Sequence, residues 1–253
     1  MNNNLADAFF RKTFRSFLRR LNFDFHSMPI KGLAFRDLDF DLPTLISTAY
    51  PIVFDVGANK GQTIDMIRRC LPNPTIIAFE PNPDLFLILK ERYRHVAKIR
   101  VEKCALGSNV ETRNFHILQN NELSSFLDIS QHRDNPFRET KELAEINVST
   151  ITTDFYASQN NIQYVDLLKI DVQGFDLQVL FGATRLLEEK RIGTLLVEVN
   201  FVQMYEGQPS FSEIERYLRD KGYGLLGLYE IVRIGDCAAW ATACFRPINT
   251  TPK

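Results

Sequence analysis

The stretch Val53-Phe54-Asp55-Val56-Gly57-Ala58-Asn59-Lys60-Gly61-Gln62-Thr63 limits the folds open to this chain more than any other. An apolar run of strand length enters a turn with two glycines, and a helical stripe of Ile64, Ile67 and Leu71 follows. A second apolar run, Ile76-Ile77-Ala78-Phe79, then ends in Glu80. Strand, helix and strand within about thirty residues form the unit from which parallel sheets are built, with the crossover helix covering one face.

The alternation continues from about residue 51 onward and predicts an α/β fold with a mostly parallel sheet covered on both faces. Asn82 is a natural N-cap and Pro83 a natural first helical residue, with Leu85, Phe86, Leu89 and Tyr93 facing inward. A third strand near Ile99 to Cys104 leads into Ala105-Leu106-Gly107. Val165 to Ile170 reads as a strand that delivers Asp171, and the helix after it carries Leu177, Leu180, Phe181 and Leu187 on one side. Leu195-Leu196-Val197 is a strand ending in Glu198. Ser210 and Glu213 form a capping box, Gly222 stops the helix they open, and Tyr223 to Tyr229 and Ala238 to Phe245 close the fold as two strands.

Glycines between a strand and a helix suit several ligands, and the spacing separates them. A phosphate-cradling P-loop needs four residues between its glycines and then Lys-Ser/Thr, whereas Gly57 and Gly61 are three residues apart and Gln62 follows. The dinucleotide fingerprint G-x-G-x-x-G is absent too, which argues against a nicotinamide-dependent oxidoreductase. What remains, D-x-G-x-x-x-G after a strand, resembles the first motif of methyltransferases that use S-adenosylmethionine. The Asp55 carboxylate is expected to orient donors near the methionine end, and Glu80 to take both ribose hydroxyls through its two oxygens.

With 253 residues, 45% of them hydrophobic, the chain can bury one full core, so a single domain over 51–253 is expected after an N-terminal segment, 1–50. The net charge of -1 leaves no electrostatic footprint for nucleic acid. Cys70, Cys104, Cys237 and Cys244 form no C-x-x-C pair, which fits buried thiols in a reducing cytoplasm. No run has the length of a membrane span, and no leader is expected. Residues 5–21 read as a basic amphipathic helix, Phe10, Phe14, Phe17, Leu18 and Leu21 opposite Arg11, Arg15 and Arg19. Such a helix either packs on the domain or makes a peripheral membrane contact.

The rhythm breaks between 107 and 150. Asn114 to Leu118 suggests a short strand, and the polar stretch of about 119–147 is expected to be a substrate-facing lid.

Five segments together give a specific likeness: Val53 to Gly61, Phe79-Glu80-Pro81-Asn82, Leu168-Lys169-Ile170-Asp171-Val172-Gln173-Gly174, Val179-Leu180-Phe181-Gly182-Ala183, and Tyr205-Glu206-Gly207-Gln208-Pro209-Ser210-Phe211. On these the chain resembles the FkbM family of methyltransferases over roughly residues 50 to 246. The resemblance implies a Rossmann-like class I methyltransferase fold, a seven-stranded sheet with an antiparallel hairpin at its edge. It also implies S-adenosylmethionine as donor and an acceptor hydroxyl on a sugar, polysaccharide, glycolipid or polyketide. Many relatives carry Glu at the positions of Gln173 and Asp176.

For the cofactor the expected contacts are Asp55, Gly57, Ala58, Asn59, Gly61, Thr63, Glu80, Pro81 and Asn82, with Ala105 and Leu106 flanking the adenine. An alcohol is a weak nucleophile until a base takes its proton, and Asp171 is the first candidate, Glu198 the second. Either one of the pair has a raised pKa and acts as base, or the two hold a divalent cation that acidifies the hydroxyl. His132, in the polar stretch, is a third candidate if the lid closes. Lys169 is expected to turn away from Asp171 and to serve structurally, with a substrate phosphate contact as the alternative. Tyr205 either stacks on a sugar face or belongs to a turn that launches the capped helix. The rival to an enzyme is a non-catalytic, cofactor-binding scaffold with the same fold.

Overall fold

Strand β1 (Ile52–Val56) lies between β2 (Thr75–Phe79) and β7 (Val165–Ile170), parallel to both. β3 (Ile99–Glu102) extends the sheet beyond β2, and β8 (Ile192–Asn200) beyond β7. These strands are almost continuously apolar because helices cover them on both faces: Val53, Phe54, Ile76, Phe79, Leu167, Leu168 and Leu195 are all without solvent exposure. The sheet is completed by β9 (Tyr223–Ile234) and β10 (Cys237–Pro247), giving the order β3-β2-β1-β7-β8-β10-β9. The expected antiparallel hairpin is present, and its second strand, β10, is the one inserted against β8. The computed structural model describes residues 37–248, all within one compact unit, Phe35–Lys253. The amphipathic helix expected at 5–21 lies outside the described residues. Among those described, no helix is long and apolar enough to cross a membrane.

Helix α1 (Leu38–Leu45) precedes the first strand, and Asp41 on it accepts a hydrogen bond from Tyr229 of β9 at 3.0 Å. α2 (Gln62–Cys70) follows β1, and α3 (Pro83–Tyr93) follows β2. The Asn82 side chain caps α3 by accepting from the amides of Asp84 and Leu85. Leu85, Leu89 and Tyr93 are buried as expected, whereas Phe86 is only half-buried. α4 (Thr153–Gln159) precedes β7, and α7 (Phe211–Asp220) opens with the reciprocal Ser210–Glu213 box that its sequence predicts.

The single helix expected from Leu177 to Leu187 is two, α5 (Asp176–Phe181) and α6 (Thr184–Glu188). Between them a Cβ on Gly182 would stand 2.0 Å from the carbonyl oxygen of Gly107, so this contact admits only glycine. Phe181 consequently leaves the buried stripe, remains 39% exposed and meets Tyr217 edge-on at 4.9 Å.

The polar region also differs from expectation. A second sheet, ordered β4-β6-β5, is made by β4 (Ala105–Leu106), β5 (Glu111–Leu118) and β6 (Glu142–Ile151). The insertion therefore runs over 119–141 and not to 147. Glu142 to Asn147 escaped as a strand because pairing across to β5, such as His116 with Glu145 and Asn114 with Asn147, holds it without burial.

In this topology the strand order reverses between β1 and β7. Connections leave those two strands toward opposite faces of the sheet, which opens a crevice beyond their carboxyl ends. The Gly57 turn and Asp171 both lie there.

Candidate active site

The turn after β1 is left-handed at Gly57 (φ +81°), Asn59 (φ +48°) and Gly61 (φ +90°). Gly57 is required by contact as well as by angle: a Cβ would lie 1.9 Å from the Asp171 carbonyl oxygen. Gly57 and Ala58 donate their amides to the Phe79 carbonyl at 3.1 and 3.2 Å, and Gly61 donates to Ala58 at 2.8 Å. Those three N–H groups are thus spent inside the protein and are not offered to a ligand anion.

Asn59 donates its amide to Glu80 Oε2 at 2.7 Å, and Asn82 donates to Glu80 Oε1 at 2.9 Å. Glu80 is 4% exposed, and burial outweighs these two bonds, pushing its carboxyl up to about 7. Together with Gly57, Ala58, Asn59, Thr63 and Asn82 it lines a cavity of 330 Å³. Behind Glu80 a narrow 40 Å³ slot is lined by Pro81, Ala105, Leu106, Phe115, Phe126 and Val172. Two of the expected contacts are not on either wall. Gly61 is packed under Tyr93, whose hydroxyl donates to its carbonyl at 3.3 Å. Asp55 is fully buried beneath the floor.

The reason lies in strand register. Asp55 pairs with Lys169 across β1 and β7, Lys169 with Leu196 across β7 and β8, and Glu198 with Thr242 across β8 and β10. Side chains alternate with a period of two, so Asp55, Lys169, Asp171, Glu198 and Thr242 share one face. Lys169 therefore faces Asp171, contrary to the expectation from sequence: two positions apart is a full side-chain period. Its Nζ lies 3.3 Å from Asp171 Oδ2 and 3.5 Å from Asp55 Oδ1, and donates to the Gly57 carbonyl at 3.4 Å. Burial raises the Asp55 carboxyl, with Lys169 opposing. Burial pulls the Lys169 ammonium down, but Asp171 and Asp55 outweigh it and leave it above its ordinary value.

Elsewhere on the cavity wall Gln173 Nε2 donates to Asp171 Oδ1 at 2.7 Å and to Glu198 Oε2 at 3.0 Å. Glu198 is raised well above the ordinary carboxylate range, first by burial and then by Asp171 and Asp176. Asp176 ties the turn beneath them, accepting from the amides of Val172 at 3.2 Å and Gly174 at 3.1 Å. Tyr205 is 1% exposed and cannot stack on a ligand; its hydroxyl is shared between Gln173 Oε1 at 2.9 Å and the Leu123 carbonyl at 3.0 Å. Of the two readings of Tyr205, the turn before α7 is the one realised.

Phe137, Met204 and Trp240 also line the cavity, the two rings 5.9 Å apart and tilted by 50°. The chemistry of these residues was missed in the sequence, because an aromatic in a polar insertion and one in the last strand carry no shared signal. The insertion does face the cavity, through Asn120 to Ser124 and Phe137. It is pinned there: Ser130 donates to the Met204 carbonyl at 2.9 Å, Glu206 to that of Asp128 at 2.9 Å, and buried Asn135 to Ser130 and Met204. His132 is not brought to the site. It is exposed and absent from the cavity wall, and its ring accepts from the Asp134 amide at 3.3 Å.

A seven-stranded sheet of this order, with a glycine turn after its first strand and an acidic residue after its second, defines the class I methyltransferase fold. Residues 55–225 match the methyltransferase FkbM domain. The chain belongs to the FkbM methyltransferase family. The 2-O-methyltransferase NoeI of Sinorhizobium fredii (strain NBRC 101917 / NGR234) is 23% identical over 192 residues, covering 70% of this chain and 78% of that one. The 31-O-demethyl-FK506 methyltransferase FkbM of Streptomyces tacrolimicus is 27% identical over 223 residues, covering 76% and 81%. Among solved structures, an rRNA methylase from Streptococcus thermophilus aligns at a TM-score of 0.48 and 9% identity, over 86% of this chain and 100% of that one.

Proposed function

We propose that this methyltransferase binds S-adenosylmethionine along Gly57, Ala58, Asn59, Thr63, Glu80, Pro81, Asn82, Ala105 and Leu106 and methylates a hydroxyl oxygen of a small-molecule or glycan acceptor. The observation that carries the reading is one cleft whose wall joins a glycine turn and Glu80 to the Asp171–Glu198 carboxyl pair. The residues present suit the cofactor. Asn59 Oδ1 is buried in the wall without a hydrogen-bond partner among the described residues, each Glu80 oxygen keeps a lone pair after accepting one amide, and the apolar slot suits a flat base. S-adenosylmethionine, when bound, supplies a methyl group already activated on a sulfonium.

The chain then has two tasks. One is alignment in a partly dry cavity, worth several kcal/mol on the scale of effective molarities, roughly 7–11 at most. The other is proton removal: Glu198 accepts the hydroxyl proton, its raised proton affinity suiting it to work nearer neutrality than an ordinary carboxylate. Asp171, 3.3 Å from the Lys169 ammonium, lies beside Glu198 and helps raise its proton affinity. The acceptor lies against Phe137, Met204 and Trp240. An oxygen acceptor is supported by the names of the two relatives, each an O-methylating enzyme. The net charge of -1 and the acidic site favour a neutral acceptor over nucleic acid.

Thermal denaturation of the purified chain is expected to shift upward with S-adenosylhomocysteine and not with NAD. Label from S-adenosylmethionine is expected in neutral hydroxyl compounds as alkali-stable ether; alkali-labile label would mean carboxyl methylation and sink the hydroxyl assignment.

Glu80 links cofactor affinity to pH. Ribose hydroxyls donate to its ionised form, so binding lowers a carboxyl that stands at about 7 in the free protein. Affinity for S-adenosylhomocysteine is therefore expected to rise between pH 6 and pH 8, by roughly tenfold at most, the factor one pKa unit represents. Calorimetry on Glu80→Gln should show weaker binding with that pH dependence gone; an unchanged slope would exclude the ribose contact.

A further inference from the structure

Gln173 occupies the left-handed position (φ +55°) of the turn between β7 and α5. A glutamine is not an ordinary choice there, since side chains with a Cβ are strained at positive φ. Its backbone carbonyl accepts from Ser125 Oγ at 2.7 Å, which fixes the turn from the insertion side. Its side chain touches three site residues at once: Nε2 reaches Asp171 Oδ1 at 2.7 Å and Glu198 Oε2 at 3.0 Å, and Oε1 accepts from Tyr205 at 2.9 Å. The orientation of the amide follows from its partners. Turned over, its oxygen would face two carboxylate oxygens, with no hydrogen between them.

This arrangement answers the alternative of a divalent cation between Asp171 and Glu198. A cation needs lone pairs from both carboxylates converging on one point. Here one amide sends a proton into each, and Lys169 holds the other Asp171 oxygen at 3.3 Å. The amide stands between the two carboxylates and the Lys169 ammonium beside one of them, so an ion would have to displace the first and meet the repulsion of the second, and the residues present do not fit it.

We propose that Gln173 is a positioning residue that does the bridging work of a cation: its amide fixes Asp171 and Glu198 relative to one another and lets the pair work without metal. The proposal rests on the methyl-transfer reading for what the pair does, but not for how it is tested. Gln173→Glu replaces the bridging N–H groups by a third carboxylate of the same shape. Gln173→Leu keeps the bulk and removes the bridge.

Manganese titrated into purified chain and followed by electron paramagnetic resonance reads the first consequence, with no acceptor or cofactor present. Wild type is expected to bind the ion weakly, Gln173→Leu somewhat more tightly because the amide no longer occupies both carboxylates, and Gln173→Glu on the order of a hundredfold more tightly than wild type, as added ligand charge dictates. Tight binding by wild type that Asp171→Asn abolishes would overturn the proposal, and so would a Gln173→Glu chain that gains nothing.

The second consequence is a pH profile. Glu198 is faced by Lys169 and Asp171 on β7 and its turn, Asp55 on β1, Asp176 on α5, Tyr205 after β8, and Glu230 through the Thr242 hydroxyl of β10. None of these residues is itself substituted in Gln173→Leu, although Asp171 and Tyr205 lose their bonds to the amide along with Glu198. Losing a donated hydrogen bond disfavours the ionised form, so the acid limb of kcat should move up by about one pH unit. An unmoved limb with normal thermal stability would mean that the residue is merely structural. Failure to bind S-adenosylhomocysteine would instead strike at the functional reading, leaving the manganese result to decide this one.

Discussion

Glu198→Gln is expected to lower kcat by about 10²- to 10⁴-fold, the usual contribution of a positioned base, with affinity for S-adenosylhomocysteine nearly unchanged. Glu198 makes no hydrogen bond to the Glu80 cluster, whose partners are Asn59 and Asn82, and its oxygen contact with Gln173 Nε2 at 3.0 Å is one that a glutamine oxygen can keep. The substitution thus removes the proton acceptor and little else. The sign of the pH dependence follows from its raised proton affinity: the base must be ionised, so wild-type activity falls as pH drops through that raised value. Asp171→Asn separates the two candidate bases. Asp171 raises Glu198 by charge repulsion, so removing that charge should move the acid limb downward while turnover survives in part. If Asp171→Asn abolishes the limb and Glu198→Gln only displaces it, the roles are exchanged.

Much of the fold was legible because its strands are buried on both faces. Val53 to Val56, Ile76 to Phe79 and Val165 to Ile170 leave no doubt of period, and Asn82, Ser210 and Gly222 mark helix ends through caps whose chemistry is local. β6 was not legible. Glu142 to Asn147 pairs with β5 while facing solvent, so its strand character lies in its partner and not in its own pattern. The break at Gly182 is of the same kind, dictated by the Gly107 carbonyl from far away in sequence.

The site divides likewise. Residues read from spacing after β1 and β2, Gly61 excepted, line one cavity and the slot beside it, since one turn and one strand end position them. His132 stayed outside because the insertion is pinned by Asn135 and the Ser130–Met204 bond in a pose that points it to solvent. Trp240 and Phe137 meet only once β10 lies beside β8, a pairing no local pattern announces. Asp55 is the instructive case: its place in the motif suggested a ligand contact, whereas full burial makes it the counter-charge of Lys169.

That burial leads to the largest expected loss of stability. Lys169→Met keeps the length of the side chain and deletes the charge that faces Asp55 at 3.5 Å and Asp171 at 3.3 Å. Neither Asp55 oxygen has a hydrogen-bond partner among the described residues, so removing the ammonium leaves a buried carboxylate uncompensated. Breaking such a pair from one side costs about 3–5 kcal/mol, or roughly 10 °C in Tm for a chain of this size. Part of the cost is met by protonating Asp55, which burial already favours. A carboxyl raised in the folded state contributes stability at low pH that is lost as pH rises through its folded value. The variant should therefore be least stable, relative to wild type, at high pH. Asp55→Asn combined with Lys169→Met tests whether charge or packing is responsible: with the orphaned carboxylate neutralised, the double variant should lose clearly less than the sum of the two single losses. Simple additivity in thermal or urea unfolding would mean that the lysine acts through its methylenes, and that Asp55 is held by something other than Lys169.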